Sequence, residues 1–369
     1  MNKLPRIAGL QAGSILVMTA VSMMALLGFV FLTYNVTRLY IVKNEMQNGA
    51  DAAALAGAAC LNRLSAVGSL NDCEQAKQLS LNWVAAKGKA ESQLGQNKAD
   101  NNALTGGDVI STVVAGYWNL ADNPASVNVL KAQTTSPLID YDVPAVKVTI
   151  QKNVNVFATS IFGLETVSLT SSAIAVLASP DTLPVGNLMP IAINKCMFDL
   201  YWDSLKQIPK NAPNNTALNG VPQKSGEPYK IRIGIDETYQ STCTSGQWAY
   251  LKATESNLSD IQKIIANGNS EPIKLNSKIF IMNGNATSLF DVVSPTPRDI
   301  VILVVNINTG GNYKNFKGET PVVTIAGFHL TAVGKKYIEG NFTTNLAIAN
   351  ATGVGATYYG VYTPPRLAQ

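Results

Sequence analysis

The sequence predicts an α+β protein. An N-terminal transmembrane helix extends into a stalk, and a small α+β domain and a mostly β C-terminal domain follow. Three observations carry that reading. Residues 7–37 hold no charged side chain. The segment that follows, to Leu64, has no proline and is rich in helix formers. From Val109 onward, short apolar runs, some alternating with polar residues, are separated by Gly, Pro and Asn, the pattern of strands and turns. The 369 residues leave room for roughly two or three folded units beyond the anchor.

Residues 1–13 read as a cytoplasmic leader and residues 14–34, SILVMTAVSMMALLGFVFLTY, as the membrane span. As a helix the span is about 31 Å long, which matches the hydrocarbon core of a bilayer. Lys3 and Arg6 precede it with no acid, which places the N-terminus in the cytoplasm and the bulk of the chain outside; Arg38 and Lys43 beyond the span weaken that bias. The apolar run is longer than a signal-peptide core. The Ala-x-Ala-like site at Ala52–Ala54 lies about 20 residues past it, so a retained anchor is expected rather than a cleaved leader.

Residues 35–64 continue as an extended amphipathic stalk helix. Gly49, Ala53 and Gly57 recur at every fourth position, beside Ala52, Ala56 and Ala59. Small residues at this spacing let a second backbone come close. The stripe suits packing on the protein's own extracytoplasmic domain and packing on a partner subunit equally well, a homo-oligomer through the stalk helix included.

Several strings in this region belong together. Gly13-Ser14 opens the apolar run and Arg38-Leu39-Tyr40 follows it. Next come Glu45-Met46-Gln47-Asn48 and then Ala50-Asp51-Ala52-Ala53-Ala54-Leu55-Ala56-Gly57-Ala58. As one contiguous block the segment resembles the N-terminal domain of TadG-like proteins of the Tad/Flp pilus-assembly system. Val167–Ala178 is similar to the strand that closes the first domain of such proteins. The resemblance implies an inner-membrane protein that helps build or anchor adhesive pili, with the lipid bilayer and other Tad pilus-assembly proteins or pilin as partners. Two departures narrow it. The Asp-x-Ser-x-Ser string of a von Willebrand A metal site is missing. Tad pilins are cut after a glycine, with glutamate at the fifth mature position, but here Gly13 puts Met18 there and Gly9 puts Ser14. A static accessory role is therefore expected, not polymerisation.

Residues 65–180 read as an α+β membrane-proximal domain. Asn71-Asp72 can cap a helix to about Lys87, and the polar stretch 91–107 reads as a loop. Strand signals follow at Val109–Trp118, at Val127–Val129, in the alternation of Val146, Val148 and Ile150, and at Val167–Ala178; Phe157–Phe162 suggests a helical turn. Three prolines between Pro180 and Pro190 mark a boundary. Residues 186–369 read as a mostly β extracytoplasmic domain. Its strands are expected at Leu188–Ile193, Lys230–Ile235, Trp248–Lys252, Lys278–Met282, Asp299–Ile307 and Pro321–Val333, with one helix at Asn257–Asn267.

The four cysteines, Cys60, Cys73, Cys196 and Cys243, form no CxxC, and with a lone histidine they complete no common zinc set. Outside the cytosol they are disulfide candidates, and the sequential pairing Cys60–Cys73 and Cys196–Cys243 is one of three connectivities. His329 lies in an apolar strand and reads as structural. Asp140 and Asp142 are two apart and read as a solvated strand start rather than a calcium site. Tyr201, Trp202 and Trp248 could line a sugar or peptide groove, although scattered aromatics more commonly pack in cores. A net charge of +4, dispersed along the chain, speaks against a nucleic-acid partner. No catalytic, cofactor or metal motif stands out. The chain reads as a non-enzymatic accessory or structural protein of Tad pilus assembly that docks to partners; the alternative is a membrane-tethered ligand- or surface-binding adhesin module.

Overall fold

The structure, a computed structural model, describes residues 10–61, 81–121, 130–134, 141–157, 166–234, 237–239, 243–251, 257–282, 286–307, 316–344, 346–351 and 358–368. The expected architecture is present: one N-terminal apolar helix, a mixed α+β region and a mostly β C-terminal region. The first helix, α1 (Leu10–Cys60), runs unbroken for 51 residues, which is about 77 Å. The chain forms two compact units, each assembled from three stretches. The first comprises Met1–Ala53, Glu91–Thr112 and Val148–Ala173; the second comprises Ala54–Ala90, Val113–Lys147 and Ile174–Gln369.

In the first unit, Val42, Met46, Ala50 and Ala53 of α1 are buried, as are Leu94, Ala99, Leu104, Val148, Ile150 and Val154. Here the loop expected at 91–107 is corrected. The helix α2 (Trp83–Gln96) continues to Gln96, and a hairpin follows in which Lys98 pairs with Ala103 and Ala99 with Asn102. Ala86, Ala90 and Leu94 recur every four residues and are fully buried, so a thin apolar stripe holds α2 despite the polar residues around it. The hairpin turns on Asp100-Asn101, both at left-handed φ (52° and 62°), which Asp and Asn tolerate in a two-residue turn. Asn82 caps α2, its Oδ1 accepting from the Ala85 N–H at 3.0 Å; the expected cap at Asn71-Asp72 lies outside the described residues. So does the candidate strand Val127–Val129.

Strands β1 (Val109–Asn119), β2 (Asp142–Asn155) and β3 (Thr166–Val176) each run through both units. With the short C-terminal strand Arg366–Leu367 they form a sheet in the order Arg366–Leu367, β3, β2, β1. In β2 the expected alternation holds: Val146, Val148 and Ile150 are buried and Gln151 is exposed. In the second unit, Trp118, Val143, Ala145, Ile174, Val176 and Ala178 form a small core.

The rest of the second unit is built on strands β4 (Leu188–Asn194), β5 (Ile231–Gly234), β6 (Gly246–Tyr250), β7 (Lys278–Ile281), β8 (Arg298–Val305), β9 (Gly318–Val333) and β10 (Tyr337–Phe342). They pair in the order β5-β10-β9-β7-β6-β4-β8, and β8 also pairs with β9, so five of the strands close on themselves. Every pairing is antiparallel except β4 with β8. Leu188, Ala192, Ala249, Ile279, Ile281, Leu303, Val305 and Ile325 fill one core. The open edge of β5 is covered by side chains of its own unit. Tyr239 Oη accepts from the Arg232 N–H at 2.8 Å and donates to the Arg232 carbonyl at 3.2 Å, and Ser245 Oγ does the same for Gly234 at 3.0 and 2.9 Å. An edge satisfied in this way offers no template for another strand.

Two helices flank these strands. The helix α3 (Lys195–Tyr201) follows β4 directly and is tied by the Cys196–Cys243 disulfide. The helix α4 (Leu258–Asn267) starts where the sequence indicates, with Asn257 Oδ1 accepting from the Asp260 N–H at 2.9 Å. At the end of the chain, the Ala368 N–H donates to the Ile174 carbonyl at 2.8 Å, which returns the C-terminal residues to β3.

Candidate functional site

The site this fold builds is the passage of α1 out of its apolar span. From Ile15 to Tyr34 every side chain is exposed. The two threonine hydroxyls of this run bond to α1's own backbone: Thr19 donates to the Ile15 carbonyl and Thr33 to that of Phe29, each at 2.8 Å. A helix that satisfies its polar groups internally can lie in hydrocarbon. The change comes at Asn35, which is 5% exposed. Its amide makes a two-way clamp with the backbone after β2. Asn35 Nδ2 donates to the Phe157 carbonyl at 2.8 Å and its Oδ1 accepts from the Phe157 N–H at 2.9 Å. One turn earlier, the Phe31 and Phe157 rings meet at 5.6 Å.

Beyond Asn35 the polar side chains of α1 reach for the first unit in succession. Arg38 donates to the Asn155 carbonyl at 3.0 Å and to Asp100 Oδ2 at 2.9 Å. Lys43 donates to the Thr170 carbonyl, Glu45 accepts from the Asp100 N–H at 2.8 Å, and Gln47 donates to the Ser172 carbonyl at 3.0 Å. The left-handed turn at Asp100 thus serves two α1 side chains. Sequence reasoning missed Asn35, Asp100 and Phe157. The one sequence signal is a carboxamide placed directly after the apolar run.

The small-residue stripe lies against this chain. A methyl group on Gly49 would overlap Leu104 Cδ1. A Cβ on Gly57 would stand 2.9 Å from the Ala86 carbonyl oxygen, 3.0 Å from Ala90 Cβ and 3.1 Å from Val146 Cγ1. Ala53 is fully buried. Of the cysteines, Cys196 and Cys243 are joined. Cys60 is also disulfide-bonded; Cys73 lies outside the described residues.

The remaining candidates are structural. Asp142 is buried, accepting from Asn119 Nδ2 at 2.8 Å and pairing with Lys131 Nζ at 2.6 Å, so the expected solvated strand start is corrected. The lysine partner lies 11 positions away, across a segment that local spacing does not read; Asp140 lies outside the described residues. His329 Nδ1 lies 2.6 Å from Asp299 Oδ1 across the β8–β9 pair, half exposed. Among the described residues, no group of three His, Cys, Asp or Glu side chains gathers as a metal set. Trp202 and Trp248 are 2% and 1% exposed and Tyr201 is buried, so the three aromatics form core, not a groove. Phe198 stacks on Phe342 at 4.1 Å and meets Trp202 edge-on at 5.9 Å, while Tyr201 meets Tyr239 edge-on at 5.5 Å.

This packing has a measurable consequence at high pH. Burial, with Asp142 adding to it, pushes the Tyr117 phenol up to about 12; burial and Tyr229 push Tyr201 up to about 12. Burial also raises Tyr239, Tyr358 and Tyr362. A pKa raised on folding favours the fold fully below the unfolded value near 10, and the contribution fades as pH climbs from 10 toward 12. Phenolate absorbance and near-ultraviolet dichroism, followed together from pH 9 to 13, are expected to show these tyrosines ionising only as the fold is lost. Full ionisation with an intact dichroism spectrum would contradict their burial.

An apolar helix left bare to Tyr34 and then gripped by its own domain makes this a membrane-anchored protein with an extracytoplasmic body. Residues 13–59 match the family model for TadE/G-like Flp pilus-assembly proteins, and residues 65–175 match that for Tad-like Flp pilus assembly. Over these residues, fewer than half of the chain, it is similar to TadG-like proteins of Flp pilus assembly. No curated protein and no solved structure matches it.

Proposed function

We propose that this chain is an accessory protein of Flp pilus assembly, held in the bacterial inner membrane with its N-terminus in the cytoplasm, that docks to other assembly proteins or to pilin outside the cytoplasm. The observation that carries this reading is the pair of family matches, which together cover the anchor and the α+β region. The orientation rests on Lys3 and Arg6 ahead of the span. Arg38 and Lys43 oppose it less than their charges suggest, because Arg38 is paired with Asp100 and Lys43 is bonded to the Thr170 carbonyl. Two docking modes lose ground: the Gly49/Ala53/Gly57 stripe is occupied by this chain, and the β5 edge is covered by Tyr239 and Ser245. Docking therefore falls to side-chain surfaces, foremost those beyond residue 175, outside the matched segments.

The test replaces residues 1–34 with a cleavable signal peptide in the native host. A soluble, disulfide-bonded extracytoplasmic protein and a loss of pili are expected. Normal piliation would overturn the anchoring role. Photo-crosslinkers placed across residues 186–368 of the full-length chain should capture pilin or an assembly protein; capture of neither would overturn docking.

A further inference from the structure

We propose that the turn at Phe157 is a second membrane contact, so that the first unit rests on the outer face of the bilayer. The argument starts from depth. The exposed apolar run ends at Tyr34, and Asn35, the next residue, bonds both backbone groups of Phe157. Asn35 follows Phe31 by one helical turn, about 6 Å, so the Phe157 backbone stands at the level where the span leaves the hydrocarbon. Its ring points further down: it packs on Phe31, which belongs to the span itself. Yet Phe157 remains 59% exposed and Phe31 36% exposed. In water, two neighbouring phenyl rings left this bare would be an unexplained apolar surface. Next to a membrane span they continue its lipid-facing surface.

The neighbourhood fits a bilayer interface. The described aromatics of the first unit are Phe29, Phe31, Tyr34, Tyr40 and Phe157, and all five are exposed. On α1 they occupy about 16 Å of helix. Exposed aromatic rings at the headgroup level form the belt by which membrane proteins fix their depth, with apolar bodies inward and polar tips outward. Immediately above, the polar groups are bonded: Arg38 holds the Asn155 carbonyl and Asp100. The occupant is therefore lipid, the same lipid that surrounds α1, rather than a soluble partner. Such a contact holds the first unit against the bilayer by a helix and a turn together, leaving no swivel between the span and the unit.

Full-length chains carrying Phe157→Cys, Phe29→Cys or Thr105→Cys, each labelled with the environment-sensitive dye NBD, would be reconstituted into phosphatidylcholine vesicles at about one chain per vesicle, with the wild-type chain as the labelling blank. Thr105 adjoins the Leu104 that packs on Gly49, about 21 Å further along α1 than Asn35. The Phe29 label reports insertion of the anchor. The Phe157 label should emit to the blue of the Thr105 label and be quenched about twofold or more by lipids carrying a quencher near the headgroup, with weaker quenching from the chain end, as a belt residue requires. A Phe157 label as open to aqueous iodide as the Thr105 label, beside a lipid-quenched Phe29 label, would overturn the contact while leaving the anchor intact. A Phe29 label open to iodide would overturn both.

Discussion

Replacing Cys196 and Cys243 together with alanine is expected to lower the stability of the second unit by about 2–4 kcal/mol. The bond closes a loop across 47 positions, for which the chain-entropy model gives about 4 kcal/mol. The loss has a definite place in the fold. The helix α3 has seven residues, far too few to hold itself together, and neither of its caps is made by a side chain. It stays in place because Cys196 is bonded at its start and because Phe198 and Tyr201, with Trp202 just beyond, are packed among Phe342, Tyr239 and Tyr359. Without the bond, the aromatic cluster must anchor α3 by itself. The measurement is urea unfolding of the detergent-solubilised full-length chain, followed by tryptophan emission and near-ultraviolet dichroism. Because Cys60 keeps its own bond in this variant, the shift belongs to the α3 tether alone. An unchanged midpoint would mean that the cluster needs no tether.

How far the fold could be read in advance depends on how local its cause is. The helix α1 is written in an uninterrupted absence of charge, and β2, β8 and β9 in runs whose period or apolarity survives inspection of a few neighbours. The helix α4 carries its own cap in Asn257. The failures have distant causes. The second half of α2 is polar to the eye, and its helix rests on Ala90 and Leu94 finding a buried place. The strand β10 went unread because Gly340 interrupts it, and that glycine is there because a Cβ would overlap the His329 carbonyl of the paired β9. The helix α3 is too short for any periodicity. At the site, the Gly49/Ala53/Gly57 stripe was visible but its occupant was not, since Leu104 and Val146 come from elsewhere in the chain. The Asn35 clamp joins residues 122 apart in sequence, and nothing near Asn35 or Phe157 announces the other.

The stripe supplies the second large effect, because its two readings make opposite demands on an isolated monomer. In an open helix, changing glycine to alanine stabilises by about 0.5–1 kcal/mol through backbone entropy. Gly88 of α2 has nothing within 4 Å of a built Cβ, so Gly88→Ala should follow that rule. Gly57 should reverse it. There a Cβ meets the Ala86 carbonyl oxygen at 2.9 Å, and that backbone atom cannot turn aside as a side chain would. Gly57→Leu must push α2 away from α1 or distort both, and a loss of about 3 kcal/mol or more is expected, at the upper end of overpacking effects. Gly49→Leu should cost less, since Leu104 Cδ1 is the flexible end of a side chain. Thermal unfolding of the three variants in detergent, at concentrations where the chain is monomeric, ranks them directly. If the stripe served a partner or a second copy instead, Gly57→Leu would leave the monomer's midpoint unmoved and abolish only the crosslinks of the assembled state.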